Sequence, residues 1–376
     1  MTALVVVGAG ILGTAHAWQA VRRGHDVLHL ERETEARGAT VRNFGLVWVS
    51  GRDATELPAT LRSRQLWEEL GRAVPDIGFR ANGSLTVLRT DAELAVAEET
   101  ASRSDASERQ FALLDAGETR ARNPALRGDL IGALWCGRDA TVESRAALPA
   151  VRAHLARSGR YRFLPGREVV DLVEGSGSVT LTDDSGHAHH GDLAILCPGA
   201  AVRGLATRLA GPLPVRPVRL QMMETAPLGE PLRTAVADAD SMRYYPAFRG
   251  PALDALLATQ PQPAVAREHR MQLLCVQRLH GGLTIGDTHA YDDPFDFATD
   301  DAPYQHLRQA AEAALGRALP PIARRWAGVY AEPTEPGALV HRAKLGERSW
   351  LVTGPGGRGM TLGPALAEQT ADLIGL

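Results

Sequence analysis

The segment from Ala3 to Glu31 constrains the fold more than any other. Ala3-Leu-Val-Val-Val7 is a short apolar, β-branched run of the kind buried on both faces of a parallel sheet. It leads directly into Gly8-Ala-Gly10-Ile11-Leu12-Gly13, and Thr14 to Arg23 has the alanine-rich composition of a helix. The three glycines serve different ends. Gly8 permits the tight turn, Gly10 lets a pyrophosphate approach the backbone, and Gly13 lets the helix pack close to the strand. The free amides at the start of the helix, those of Ile11 and Leu12 among them, face the phosphates with a positive dipole end. Gly24-His-Asp then turns the chain into Val27-Leu-His-Leu30, a second strand ending at Glu31, 18 residues past Gly13. A carboxylate there accepts hydrogen bonds from a ribose diol and repels a 2′-phosphate. Strand, glycines, helix, strand and terminal acid in register predict a bound dinucleotide, FAD or NAD rather than NADP.

Two later segments decide between those cofactors. Asp192-Leu-Ala-Ile-Leu-Cys-Pro198-Gly199 reads as another strand of the same sheet ending in a glycine turn. Ser349-Trp-Leu-Val-Thr353 reads as a further strand, followed by Gly354-Pro-Gly356-Gly357-Arg358-Gly359-Met360-Thr361 and a closing helix from Leu362 to Leu373. NAD has no use for a second glycine-rich strand-to-helix turn at the far end of the chain. It is what brings a helix N-terminus and backbone amides against a flavin ring, so FAD is expected.

Composition narrows the class. At 376 residues the chain suits two domains, and with 44% hydrophobic and 23% charged residues it looks like an ordinary soluble protein. A net charge of -3 gives no reason to expect nucleic acid or an acidic membrane as partner. There are 40 arginines and a single lysine, Lys344, so any step needing an amine side chain has one candidate. Cys136, Cys197 and Cys275 form no CxxC or zinc pattern, so no metal and no disulfide scaffold are expected, and a reducing cytoplasm fits. The apolar N-terminal run is too short for a signal peptide or a membrane span.

These features together resemble the D-amino-acid oxidase superfamily, especially its glycine oxidase and sarcosine oxidase branch. The likeness rests on Gly8-Gly10-Gly13, Glu31-Arg32, Gly38-Ala-Thr40 with Asn43-Phe-Gly45, Leu196-Cys-Pro-Gly199 and the 354–361 turn. Three segments look most like a bacterial branch associated with aminophosphonate breakdown: Thr40 to Gly45, Leu283-Thr-Ile-Gly-Asp-Thr-His289, and Gly359 to Pro364. The resemblance implies an α/β protein: a discontinuous Rossmann-like FAD-binding domain of residues 1–85, 141–214 and 326–376, with a mixed-sheet α+β substrate domain of residues 86–140 and 215–325. Strand-like runs at Val215–Glu224 and Met271–Ile285, an amphipathic helix at Ala302–Ala318, and surface helices within Asp91–Glu118 are compatible with that division.

It further implies non-covalent FAD, held by Gly8, Gly10, Ile11, Leu12, Gly13, Glu31, Arg32, Thr40, Asn43, Gly45, Val169, Pro198, Gly199, Gly357, Gly359, Met360 and Thr361. The implied reaction is oxidation of a small amine with an anionic tail, N-methyl-2-aminoethylphosphonate or a relative. Hydride passes to flavin N5, the imine hydrolyses to aldehyde plus amine, and oxygen becomes hydrogen peroxide. Glycine, sarcosine or D-amino-acid oxidation is an alternative. So is a 2-hydroxy-acid dehydrogenase passing electrons to a quinone or protein, and so is a flavin-binding subunit with no turnover.

Such chemistry needs no nucleophile, only groups that fix the substrate's charged end. Arg358, in the turn expected beside the flavin, can grip a carboxylate or phosphonate in bidentate fashion, or else cap carbonyls of its own loop. His289 can bind an anion or tune amine protonation, or be a satisfied structural histidine. Tyr244 and Tyr245 match the substrate-domain tyrosine of glycine oxidases, with core packing as the plainer role. Arg42 and Asn43 sit in a loop near the flavin, where Asn43 closes a turn or touches substrate; His16 packs the first helix or approaches the pyrophosphate, and Trp48 fills core or walls the pocket. Two departures stand out. Where glycine oxidase-like enzymes hold the substrate carboxylate with an arginine, within Trp326–Ala331, this chain has Tyr330 and Ala331. Where sarcosine oxidases place a lysine over the flavin, it has Thr284.

Overall fold

The computed structural model describes residues 2–376 and builds two principal sheets. The first has six strands in the order His341–Lys344, Ser349–Thr353, Leu193–Leu196, Ala3–Val7, Asp26–Glu31 and Tyr161–Pro165. The inner pairings are parallel, with Leu4 opposite Leu193 and Val27, and Ala194 opposite Ser349; only His341–Lys344 runs antiparallel, at the edge. Parallel strands covered on both faces need apolar side chains pointing both ways, which accounts for the unbroken run Leu-Val-Val in the central strand. The first helix, Ile11–Arg22, starts earlier than the alanine-rich stretch suggests, because the turn of the glycine loop itself already has helical geometry. It packs against the closing helix Gly359–Leu373, so the two glycine turns lie side by side at the carboxyl ends of the strands. Trp67 Nε1 donates to the Met360 carbonyl at 2.7 Å and ties the helix Leu57–Ala73 to that same turn.

The second sheet has eight strands in the order Ile322–Pro333, Val215–Pro227, Gly282–Gly286, Leu274–Gln277, Ala235–Ala237, Ser84–Leu88, Gly132–Cys136 and Phe111–Asp115. Alternation along its strands sorts two apolar faces. Met223, Cys275, Ile285 and Val87 pack toward the helix Asp301–Leu315, while Leu220, Met222 and Leu274 turn toward the first domain and roof a cavity. The sequence boundaries at 85/86 and 325/326 fall inside the strands Ser84–Leu88 and Ile322–Pro333, both of which lie wholly in this sheet. Within Asp91–Glu118 the helices Asp91–Ala101 and Ala106–Arg109 form, but Phe111–Asp115 is an edge strand paired with Gly132–Cys136. Its side chains are largely exposed on both faces, so it lacks the alternation that marks a strand in sequence.

A carboxylate knots the two parts together. Asp139, fully buried, accepts from the Val49 and Ser50 amides at 2.5 and 2.9 Å and from the Ser50 and Ser84 hydroxyls at 2.7 and 2.5 Å. It thereby fixes the Val49–Ser50 segment against the start of Ser84–Leu88. No helix among the described residues is long and apolar enough to cross a membrane. All three cysteines are buried and unpaired, and burial pushes the Cys275 thiol up to about 12.

Beneath the first glycine turn sits His29. Its Nε2 lies 3.0 Å from the Gly8 carbonyl and its Nδ1 2.8 Å from the Tyr161 hydroxyl, so Nε2 carries the proton and donates to Gly8 while Tyr161 donates to Nδ1. Burial holds the imidazoles of His29 and His16 down to about 4. Between pH 6.5 and 4 the unfolded chain therefore binds protons that the folded chain refuses, and stability falls as pH drops through that window. We expect the melting temperature to decline from pH 6.5 to 4, with each histidine contributing about 1–3 kcal/mol of the loss. His29→Gln, measured by calorimetry over that range, should show the shallower decline; an unchanged slope would refute the assignment.

Candidate active site

The two glycine turns open into one cavity of about 960 Å³ between the sheets, large for a ligand pocket. Its first end is the dinucleotide cradle. Gly8 adopts φ +95°, and a Cβ there would meet the Cys197 carbonyl oxygen at 2.4 Å. A Cβ on Gly13 would lie 1.7 Å from the Gly8 carbonyl oxygen, so helix and loop touch backbone to backbone. Gly10 meets only Thr40 Oγ1, at 3.4 Å, which leaves its cavity side open. The Ile11 amide, expected to be free for phosphate, donates instead to the Thr40 hydroxyl at 3.0 Å, and Glu31 accepts from the amides of Ala9 and Glu33 at 2.7 and 3.1 Å, buried at the strand end. Neither helix that starts here, Ile11–Arg22 or Gly359–Leu373, has a side-chain cap from its own N-cap residue. The donor set suits an anionic dinucleotide.

Of the residues expected to hold cofactor, Gly8, Gly10, Ile11, Leu12, Gly13, Glu31, Arg32 and Thr40 line this end, as do Val169, Pro198 and Gly199. Gly357, Gly359, Met360 and Thr361 line the part nearer the second sheet. Gly45 does not reach the wall. It turns at φ +70°, and a Cβ there would lie 2.0 Å from the Val142 carbonyl oxygen, so it shapes the loop. Asn43 borders the cavity but spends its amide on the turn: Nδ2 donates to the Ala39 and Thr40 carbonyls, and Oδ1 accepts from the Gly45 amide at 2.7 Å. Arg42 donates to the Ala327 carbonyl at 2.9 Å, and His16 is buried in the first helix with Nδ1 on the Leu12 carbonyl at 2.7 Å.

The far end is aromatic and polar. Tyr244 stacks on His289 at 4.3 Å and meets Tyr245 edge-on at 5.0 Å. Trp48 tilts against Tyr245 and does more than fill core, since its buried indole N–H has no partner and its ring borders the cavity. His289 is buried, with Nδ1 at 3.0 Å from the Arg270 carbonyl; Nδ1 therefore carries a proton and Nε2 points toward Asp287 Oδ2, 3.9 Å away. Gln272 Nε2 bridges the Tyr245 hydroxyl and Asp287 Oδ1 at 3.2 and 3.3 Å. Burial pushes Asp287 above the usual carboxylate range and keeps Tyr244 and Tyr330 protonated. The buried Tyr330 hydroxyl has no well-formed hydrogen bond and faces Gly357 of the second turn, where a Cβ would lie 3.6 Å from it. Thr284 is spent as acceptor from Arg278 Nε at 2.8 Å.

Arg358, expected to grip the substrate's anion, is instead committed to the protein. Its Nε and Nη2 donate to the Pro355 and Ala338 carbonyls at 3.1 and 3.0 Å, and Nη1 pairs with Glu56. The cation left uncommitted at this end of the cavity is Arg52, which sequence reasoning passed over. It is 6% exposed, lines the cavity, and lies over the Tyr245 ring at 5.1 Å. Among the described residues its ion-pair contact is Glu56 Oε2 at 3.8 Å, and its Nε has no partner. Two guanidiniums thus share one carboxylate, leaving a net positive pole. Gly51 makes this placement possible, since a Cβ there would be 2.7 Å from both Trp48 and Tyr245. Asp287 and Gln272 were also missed; the only sequence signal was the position of Asp287 two residues before His289 at a strand end.

The profile of the FAD dependent oxidoreductase family DAO matches residues 3–373. The chain belongs to this family. Among curated relatives, one of the subunits of opine oxidase from Rhizobium meliloti is 28% identical over 168 residues, 42% of this chain and 45% of that protein. Glycine oxidase of Geobacillus kaustophilus is 27% identical over 227 residues, 57% of this chain and 59% of that protein. The chain thus spans about half the length of the curated relatives it matches. The crystal structure of glycine oxidase from Geobacillus kaustophilus superposes with a TM-score of 0.78 at 20% identity, covering 100% of this chain and 95% of that one. Iminodiacetate oxidase from Chelativorans sp. BNC1 gives 0.76 at 20% identity, covering 99% and 95%. The fold is therefore the α/β architecture of that family, and the chain is an FAD-dependent oxidoreductase.

The close contact of Gly13 gives a direct test of the cradle. Gly13→Ala must push the first helix off the loop, an overpacking cost of about 1–3 kcal/mol. Titrating apoprotein with FAD should show roughly 10–100-fold weaker binding; wild-type affinity would mean that the loop does not touch the cofactor.

Proposed function

We propose that the protein oxidises a small amine bearing an anionic tail, with N-methyl-2-aminoethylphosphonate or a related aminophosphonate as the specific substrate. The observation that carries this reading is Arg52: a buried guanidinium on the wall of the cavity, stacked on an aromatic ring and only weakly paired. Such a group is costly unless an anion completes it. Glycine and iminodiacetate, the substrates in the names of two similar proteins, are amines with anionic groups, which supports the same class. The phosphonate choice rests on the three segments that resemble the aminophosphonate branch and on Tyr330, which stands where glycine oxidase-like enzymes carry a carboxylate-binding arginine.

FAD bound in the cradle supplies the two-electron acceptor. The chain's own residues bind and orient: Arg52 holds the anion, while Tyr244, Tyr245 and Trp48 exclude water and confine the amine between the second sheet and the 356–361 turn. The imine hydrolyses to an aldehyde and an amine, and oxygen is the final acceptor, giving hydrogen peroxide. The test is anaerobic bleaching of the flavin by N-methyl-2-aminoethylphosphonate, glycine, sarcosine, iminodiacetate and D-alanine, followed by readmission of air with a peroxide assay. Bleaching by the carboxylates alone refutes the phosphonate choice, and bleaching by none refutes the amine. Arg52→Met should raise KM for the preferred substrate about 100-fold while kcat changes far less, the pattern of lost uniform binding.

The likeness to an opine oxidase subunit favours a second reading, in which the chain works as one component of a larger oxidase. Full turnover by the chain purified alone would remove it.

A further inference from the structure

The cavity holds a second charged pole that the anion does not use. Asp287 follows directly on the strand Gly282–Gly286, is 4% exposed, and borders the cavity. Among the described residues it pairs with no arginine or lysine; its side-chain contacts are Gln272 Nε2 at 3.3 Å and His289 Nε2 at 3.9 Å, both loose. A buried carboxylate so weakly partnered lacks its counter-cation. Arg52 cannot supply it, since that guanidinium lies over the face of Tyr245, whereas Asp287 is reached from the Tyr245 hydroxyl through Gln272. The other titratable groups turned toward it are Tyr244, Tyr245 and Tyr330, all held protonated by burial, so they are neutral and supply no counter-charge.

An aliphatic amine arrives at neutral pH as an ammonium ion, and its α-carbon cannot release hydride until the nitrogen has regained its lone pair. We propose that Asp287 receives the substrate's ammonium and, with His289, takes its proton. The N–H bond breaks with its electron pair left on nitrogen, and an O–H bond forms on the Asp287 carboxylate. From there the proton can pass to His289 Nε2, whose lone pair is turned that way because Nδ1–H is tied to the Arg270 carbonyl. Arg52 and Asp287 are thus two poles of a site for a zwitterion, with the length of Tyr245 between them. Burial, which raises Asp287, suits it to accepting that proton. This inference rests on the amine reading above.

The test uses holoprotein and two non-oxidisable probes, glycine betaine and acetate, with binding measured by calorimetry. Wild type should bind betaine more tightly than acetate. Asp287→Asn keeps the Gln272 contact and should lose at least about 10-fold in betaine affinity with acetate affinity unchanged. In wild type, betaine affinity should fall on acidification more steeply than acetate affinity, a measurement that needs no variant. Anaerobic flavin reduction by the preferred amine should move its acid limb toward the amine's own pKa in Asp287→Asn, and Asp287→Glu should restore part of the shift. Equal affinities of wild type for the two probes, or an Asp287→Asn protein with unaltered betaine binding and pH profile, would overturn the proposal while leaving amine oxidation standing. Wild type that no amine bleaches would overturn both.

Discussion

Everything functional in this molecule hangs on the contact between the first helix and the turn that precedes it. Gly13 sits so close to the Gly8 carbonyl that no side chain could intervene, and His29 reaches the same carbonyl from below with Nε2–H. That oxygen is therefore fixed from two sides, and with it the direction in which the first helix leaves the sheet. Because the closing helix packs along the first, the second glycine turn inherits its position from the first. A cavity wide enough for a dinucleotide exists where it does because two helix N-termini are held side by side at the carboxyl ends of the parallel strands.

The strength of this frame explains why the cofactor end was legible in the sequence. Gly8, Gly13 and Glu31 are constrained by the backbone itself: a positive φ, a position where any Cβ would fall 1.7 Å from a carbonyl oxygen, and a carboxylate accepting loop amides. Such constraints admit few residue types and act between near neighbours in the chain, so they leave a readable spacing. Gly45 shows the limit of that logic. Its glycine is also required by positive φ and by the Val142 carbonyl, but the requirement belongs to a turn and not to the cavity wall. A glycine in sequence reports that space or conformation is tight, not what lies on the other side.

The substrate end was less legible for a different physical reason. Arg52, Gln272 and Asp287 come from separated segments and acquire meaning only through what they fail to touch. In a chain with 40 arginines, no spacing separates a guanidinium that lacks a partner from the many that have one. Arg358 looked the better anchor because it lies in the flavin-side turn. Yet a loop rich in glycine leaves carbonyls such as that of Pro355 open, and a guanidinium beside them is captured by backbone, here including the Ala338 carbonyl. The same holds for Asn43, whose amide is consumed by three bonds within its own loop.

These substitutions of role are coupled. With Arg358 engaged by Glu56, that carboxylate is too far committed to neutralise Arg52 as well, and the separation of 3.8 Å between Arg52 and Glu56 is what leaves positive charge facing the cavity. Tyr330 contributes a neutral hydroxyl where an arginine would have put a competing cation on the cavity wall. On the proposed reading, the substrate's anion is drawn to Arg52, on the side held by the Val49–Arg52 segment. That segment is in turn anchored to the second sheet through Asp139 and Ser84. If Arg52 holds the substrate as proposed, its orientation depends on the joint between the two sheets, through the buried carboxylate of Asp139.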